Sequence, residues 1–451
     1  MRASILTGTA VLLVSATTVV AEETFPATLT GHAILPAGTF IVAPDDAPAD
    51  LKIAGKFTGS TPAYQPATVP GDTGPMHGKR PTGLATPFQG QAVQGLSGFA
   101  MNRAQDGSVY VLTDNGFGGK GNSPDAMLFF NRMTPDFAAG TVQIAETVFL
   151  HDPDRKVPFR ITSEGSEKRY LTGADFDPES IQLVNNEIWI GEEFGPYLIR
   201  ATTDGKVLAI YPTMIDGTLA KGPDTPGVQV PAQPGKDFTV QRSGGYEVMG
   251  LQPGTGLLWG ILEKPLFAAT GEPEGTFVRA MAFDPAKGEW TGQFFKFALG
   301  EGAVSIGDMN FIDDTRALVI ERDNGEGDPS LKCEGDAKPD CFPMPAMAKR
   351  VVLIDTASID ADGFVKRIGS IDLMDIADPN GMNRLPTVAR RDLAGKFTFP
   401  FFTIEDVMRV DDTHILVAND NNLPFSSGRQ LDQAAANEFI LLSVPELLSA
   451  R

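Results

Sequence analysis

Five stretches of this chain repeat one layout, and that repeat limits the folds open to it. They are LSGFAMNRAQDGSVYVLTDNG (96–116), PESIQLVNNEIWIGEEFG (178–195), YEVMGLQPGTGLLWGILEKP (246–265), IGDMNFIDDTRALVIERDNG (306–325) and IEDVMRVDDTHILVANDNN (404–422). Each starts on a polar position, runs through a short apolar strand, turns, runs back through a second apolar strand and ends on an acid. The opening positions are Ser97, Glu179, Glu247, Gly307 with Asp308 beside it, and Glu405 with Asp406 beside it. The closing acids are Asp114, Glu193, Glu263, Asp323 and Asp420, which lie 17, 14, 16, 16 and 15 residues further on. Two hairpin-linked strands of that length return to the sheet edge they left.

The closing acids recur every 60 to 97 residues, with no strong helical periodicity between them. This predicts an all-β chain built as a β-propeller. The first two strands of each unit lie near the axis, and the connecting segments add the outer ones. The termini, HAILPAGTFIV (32–42) and NEFILLSVP (437–445), are expected to close a sixth blade; five and seven blades are the alternatives. A sandwich, the rival fold, would not set an acid at the same end of every unit. The Pro/Gly-rich segments 43–95 and 213–245 read as long loops on one face, so 22–451 is expected to be a single domain.

The N-terminus, MRASILTGTAVLLVSATTVVAEE, has a basic start, an apolar stretch and a Val19-Val20-Ala21 cleavage pattern. It reads as a secretory signal over 1–21, which places the mature protein in the periplasm or outside the cell with no membrane span. The pair in CEGDAKPDC, Cys333 and Cys341, then predicts a disulfide. A net charge of −20 repels nucleic acid and anionic membranes. It also repels anionic substrates unless cations reverse the local field.

In a propeller the opening and closing positions converge on one mouth. Carboxylates crowded there repel one another. Hard cations relieve that repulsion, and Ca²⁺ accepts 6–8 oxygen ligands in flexible geometry. The candidate ligands are Asp114, Glu179, Glu193, Glu247, Glu263, Asp308, Asp323, Glu405, Asp406 and Asp420, with amide oxygens from Asn115, Asn324, Asn419, Asn421 and Asn422. Asp-Asn-Gly at 114–116 and 323–325 is also a common turn sequence. Glu193-Phe-Gly and Glu263-Lys-Pro are not. Zinc is disfavoured by four scattered histidines and no HExxH. No G-x-S-x-G elbow, GxGxxG or P-loop is present.

QGLSGFA, DFDPES with IWIGEEFGP, GYEVMGL, ERDNG, and TIEDV followed by VANDNN together resemble the family known as esterase-like activity of phytase, over nearly the whole mature chain. The resemblance implies a β-propeller, export, and hydrolysis of ester or phosphoester substrates. The propeller phytases, to which the family is distantly similar, use clustered Ca²⁺. The family's Glu-(Gly/Ser)-apolar opening is matched at Glu179-Ser180-Ile181 and replaced at Ser97-Gly98 and Gly307-Asp308.

These readings converge on a Ca²⁺-dependent phosphoester hydrolase acting on a small anionic substrate such as a phosphomonoester. Glu179, Glu247 and Asp308 are the candidate catalytic ligands or bases, and Lys264, Arg322 and Arg429 the candidate substrate contacts. A metal-stabilised binding propeller without catalysis and a Ca²⁺-dependent lactonase or carboxylesterase are the alternatives. Glu192 falls on a variable position and is set aside; Glu187 belongs to a solvated turn.

Overall fold

The computed structural model describes residues 22–59, 67–228, 232–336, 338–385 and 395–451. The expected signal, 1–21, lies outside them. Strands dominate; among the described residues the one α-helix is the short Pro445–Ser449.

Among the described residues the main strands group into antiparallel four-stranded units, five by hairpin order. The first and fifth of these are joined into one sheet by a parallel pairing of Thr141 with Ile34. Unit one is Leu96–Phe99, Val109–Thr113, Phe129–Asp136 and Thr141–Phe149. Unit two is Pro178–Val184, Glu187–Glu192, Tyr197–Thr202 and Val207–Pro212. Unit three is Tyr246–Leu251, Leu258–Leu262, Phe277–Asp284 and Glu289–Ala298. Unit four is Ser305–Phe311, Arg316–Arg322, Lys349–Ile359 and Val365–Asp372. Unit five joins the two ends of the chain: Asp406–Arg409, His414–Ala418 and Asn437–Ser443 are followed by the early strand Thr28–Leu35.

The two terminal segments thus pair with each other, as expected of segments that close a ring, and they do so as the outer strands of unit five. His32 pairs with Ile440 across that seam, and its Nε2 lies 3.0 Å from Glu438. A second seam lies next door, where Glu23–Phe25 adds in parallel to Val365–Asp372. The N-terminal strands thus cover the outer strands of both units, leaving the three-residue Glu23–Phe25 as the edge of unit four.

The first strands contact one another in order, and that of unit five contacts that of unit one, so they make a closed ring. These inner strands are flanked on both faces, and every residue of Tyr246–Leu251 and Ser305–Phe311 is buried, the polar Glu247, Ser305, Asp308 and Asn310 included. Fourth strands such as Thr141–Phe149 are largely open to water. The cores lie between neighbouring units, one at each of the five junctions. Ile181, Ile190 and Ile199 of unit two meet Leu112, Leu128 and Phe130 of unit one in one of them. Each such side chain contributes about 1.5–3 kcal/mol by burial.

Turn chemistry sets the register. Asn185 and Asn186 have φ of 51° and 64°, and Val184 pairs with Glu187 across them, as a two-residue hairpin requires. The described residues of the Pro/Gly-rich segment 43–95 carry short ladders, Val69–Asp72 with Pro81–Thr86 among them, so they are more regular than their composition suggests. The Cys333–Cys341 disulfide is formed.

Candidate functional site: an acidic ring closed by one arginine

The ladders decide which residues are equivalent. Leu96 pairs with Thr113, Pro178 with Glu192 and Tyr246 with Leu262, and a register shift follows each pair. In unit four the last pair before the shift is Ile306 with Glu321. The opening residues Ser97, Glu179, Glu247 and Gly307 thus sit in β-bulges, which turn a side chain out of the strand's alternation. Gly307 fits because a Cβ there would lie 2.0 Å from the carbonyl oxygen of Ile404.

The same register makes Arg322, and not Asp323, the counterpart of Asp114, Glu193 and Glu263. Arg322 pairs with Ser305, just as the amides of Asp114, Glu193 and Glu263 donate to the carbonyls of Gly95, Asp177 and Gly245 at 2.8–2.9 Å. In unit five Thr403 Oγ1 donates to Asp420 Oδ2 at 3.0 Å, which puts Asp420 in the same place. The closing positions are therefore four carboxylates and one guanidinium.

Two groups of carboxylates stand close enough to share an ion. Asp177, Glu179 and Glu193 each offer an oxygen, all within 4.8 Å of one another, and so do Glu193, Glu247 and Glu263. Ca²⁺–oxygen distances of 2.3–2.6 Å place ligands across one ion about 5 Å apart. Glu193 Oε1 and Glu247 Oε1 are buried without a hydrogen-bond partner, a costly state that a cation would relieve. The donor set is all oxygen. The residues present thus fit a hard divalent cation. Arg322 reaches over from the other side: its Nη2 lies 3.4 Å from Glu405 Oε1, 3.5 Å from Glu263 Oε1 and 3.9 Å from Glu247 Oε1.

A family model described as phytase-like, esterase-like activity of phytase, matches residues 91–423. The chain belongs to that family. The matched span of this phytase-like protein runs from the first unit into the fifth and includes the whole ring. No curated protein matches it. Among solved structures, glutaminyl cyclase from Myxococcus xanthus is 10% identical, with 84% of this chain and 95% of that one covered and a TM-score of 0.35. A 6-phosphogluconolactonase of Bacteroides uniformis, itself assigned provisionally, is 13% identical, with 78% and 74% covered and a TM-score of 0.29. Arabinanase from Bacillus subtilis is 10% identical, with 77% and 92% covered and a TM-score of 0.32. Likeness at that level says nothing about chemistry, which rests on the site.

Electrostatics in the phytase-like ring follow from burial. Desolvation, and after it the neighbouring acids, hold Glu179, Glu193, Glu247 and Asp114 well above the usual carboxylate range. Burial pushes Asp177 and Asp420 up to about 6 and Glu405 up to about 8. For Arg322, burial opposes the charge, and Glu405, Glu247 and Glu263 outweigh it. Lys264 Nζ lies 2.8 Å from Glu263 Oε2 at the rim. Glu179 and Asp114 keep part of their surface open to solvent, which marks the mouth.

Several sequence candidates stand elsewhere. Asp308 is buried along the first strand of unit four; its carboxylate accepts the amides of Met309 and Val407, both at 2.7 Å. Asp406 accepts Gly98 N at 3.1 Å. These two acids brace first strands of neighbouring units to one another. Asp323 is turned outward, 3.0 Å from Lys349 Nζ and accepting the amides of Gly325, Met347 and Ala348. Arg429 is not at the mouth: it pairs with Glu438 at 2.6 Å and lies over Phe397 and Phe401. Glu192 spends its oxygens on the amides of Phe194, Gly195 and Tyr197. Glu187 pairs with Arg200 at 2.7 Å rather than standing free in water. Asn115 and Asn419 likewise give their amide oxygens to backbone amides.

Asp177 is the ring member that the repeat missed. Its counterparts two residues before the other openings are Gly95, Gly245, Ser305 and Thr403, so no acid recurs there. Ser305 and Thr403 instead hydrogen-bond the closing acids Glu263 and Asp420.

Proposed function

We propose that this is an exported five-bladed propeller whose mouth is a Ca²⁺-dependent hydrolase centre for small phosphoesters. The observation that carries the reading is the pair of carboxylate groups that share Glu193 and include buried oxygens with no partner. Family membership supports ester hydrolysis. The disulfide supports an oxidising compartment.

Asp177, Glu179, Glu193, Glu247 and Glu263 would hold the cation. When bound, it would offset the acidic field against an anionic substrate and lower the pKa of a water molecule. Glu179 is the best-placed proton acceptor, because it is both in the first group and partly open to solvent. Arg322 and Lys264 are the cations available to phosphate oxygens. Glu247 serves as a ligand in this scheme. Asp308 drops out of the chemistry because backbone amides claim both its oxygens, and Asp406, with one oxygen on Gly98 N, belongs to neither carboxylate group.

The decisive experiment is a panel of phosphomonoesters, lactones and carboxylic esters, assayed for phosphate and for acid release, with and without chelator. Phosphate release that chelation abolishes is the expected result. Full activity in chelator sinks the metal role, and acid release alone transfers the centre to lactones or carboxylic esters. A second reading has one observation in its favour: Arg322 is already engaged with ring acids, so few cations are left for substrate. On that reading the protein is a calcium-stabilised binding module, and calcium raises its Tm without turnover in any arm.

A further inference from the structure

We infer that Arg322 keeps the Glu193–Glu247–Glu263 group shut as a second cation site, and that an anion drawing Arg322 away opens it. This rests on the reading that the ring binds a cation. The position itself is informative: closing positions elsewhere hold Asp114, Glu193, Glu263 and Asp420, and unit four alone puts a permanent positive charge there.

The hold is loose. Arg322 Nη2 is spread over three carboxylates at 3.4, 3.5 and 3.9 Å, where a charge-assisted pair normally closes to about 2.7–2.9 Å. Its Nε is buried without a partner. Its Nη1 already has an alternative acceptor outside the acids, Asn324 Oδ1 at 3.2 Å. The guanidinium is thus within range of three acids and in a tight pair with none of them.

The two groups differ in this respect. Among the described residues, Arg322 forms ion pairs with Glu247, Glu263 and Glu405, and none of these belongs to the Asp177–Glu179–Glu193 group. That group is free to take a cation at once. In the other, guanidinium and cation compete for Glu247 Oε1 and Glu263 Oε1, while Lys264 Nζ holds Glu263 Oε2 from the rim at 2.8 Å. Glu193 Oε1 and Glu247 Oε1 are both buried without a hydrogen-bond partner, so the site lacks close donors even with Arg322 present. An anion that takes the guanidinium removes the competitor. By linkage, the second cation must then strengthen anion binding by the same factor. The inferred ligands are a divalent hard cation and an oxyanion such as phosphate.

Equilibrium dialysis of the full chain against calcium tests this without turnover. The arms are the wild type, Arg322→Gln and Arg322→Lys, each with and without inorganic phosphate below its precipitation limit. The wild type should bind one ion tightly and a second about tenfold or more weakly, with phosphate closing that gap. Arg322→Gln should bind the second ion tightly without phosphate, and Arg322→Lys should behave as the wild type. An unchanged calcium isotherm in Arg322→Gln overturns the inference. So does a phosphate effect that survives there undiminished, since phosphate would then bridge the ions directly. If Arg322→Gln does not fold, the wild type still decides: an isotherm that phosphate leaves unmoved overturns the inference. One ion in every arm overturns it while leaving the proposed function standing; no calcium in any arm overturns both.

Discussion

Arg322 Nη2 lies 3.5 Å from Glu263 Oε1, and the two residues occupy the same register position in neighbouring units. One position, repeated around a ring, therefore carries charges of opposite sign. The site is a set of acids with a built-in counter-ion, and its behaviour follows from how that charge is balanced.

Glu193 is common to both carboxylate groups, so its neutralisation should cost the most calcium affinity. Glu193→Gln is expected to weaken calcium binding about tenfold or more, removing about 1.4 kcal/mol of ligand stabilisation at saturating calcium. Without calcium the same change should raise Tm, because it removes a buried charge from a repulsive group. Thermal scans with calcium and with chelator check both signs.

Asp323→Asn should do the opposite. The carboxylate holds the buried ammonium of Lys349 at 3.0 Å and belongs to no ring group. Its loss leaves that charge poorly paired, at a cost of about 3 kcal/mol. Urea unfolding should show the loss, while the calcium isotherm stays within about twofold. A large change in calcium affinity would put Asp323 back in the ring.

In chelator, stability should fall as pH rises. The folded-state pKa values of Asp177 and Asp420, about 6, and of Glu405, about 8, lie above their unfolded values. A raised carboxylate contributes stability that is full below the unfolded pKa near 4 and is lost as pH passes the folded pKa. The decline should therefore run from about pH 4 to 8, at up to about 1.4 kcal/mol per pH unit for each group still protonated in the folded state only. Calcium should flatten the profile, because it binds the deprotonated forms. Urea midpoints across pH 4–9, in chelator and in calcium, measure this; a chelator profile that rises with pH would contradict it.

Gly307→Ala should destabilise the junction of units four and five. The new Cβ would stand 2.0 Å from the Ile404 carbonyl oxygen, so the first strands must separate. Overpacking of this kind costs about 1–3 kcal/mol. The Tm in chelator reads it directly.

The repeat in the sequence determined a great deal by itself. Hairpin spacing, turn residues such as Asn185-Asn186 and apolar runs such as Val109–Thr113 are local signals, and each unit forms where they place it. Glu179, Glu193, Glu247 and Glu263 could be singled out on that basis, because a repeated position implies a shared edge. Tertiary structure decided what depends on pairing. The termini completed the fifth unit because Thr28–Leu35 found Asn437–Ser443, a contact between opposite ends of the chain. The ladder of unit four pairs Ser305 with Arg322 and Ile306 with Glu321, so Arg322 and not Asp323 holds the closing position, and a one-residue shift in a strand reverses the face a side chain takes. Asp177 joined the ring through its own unit's geometry, with no repeat to announce it. Asp308 and Arg429 left it because backbone amides and Glu438 bind them more closely, and Asp406 because its strand turns it toward Gly98 of unit one, apart from both carboxylate groups. Local pattern set the carboxylates in series; the closing of the ring determined which of them face one another.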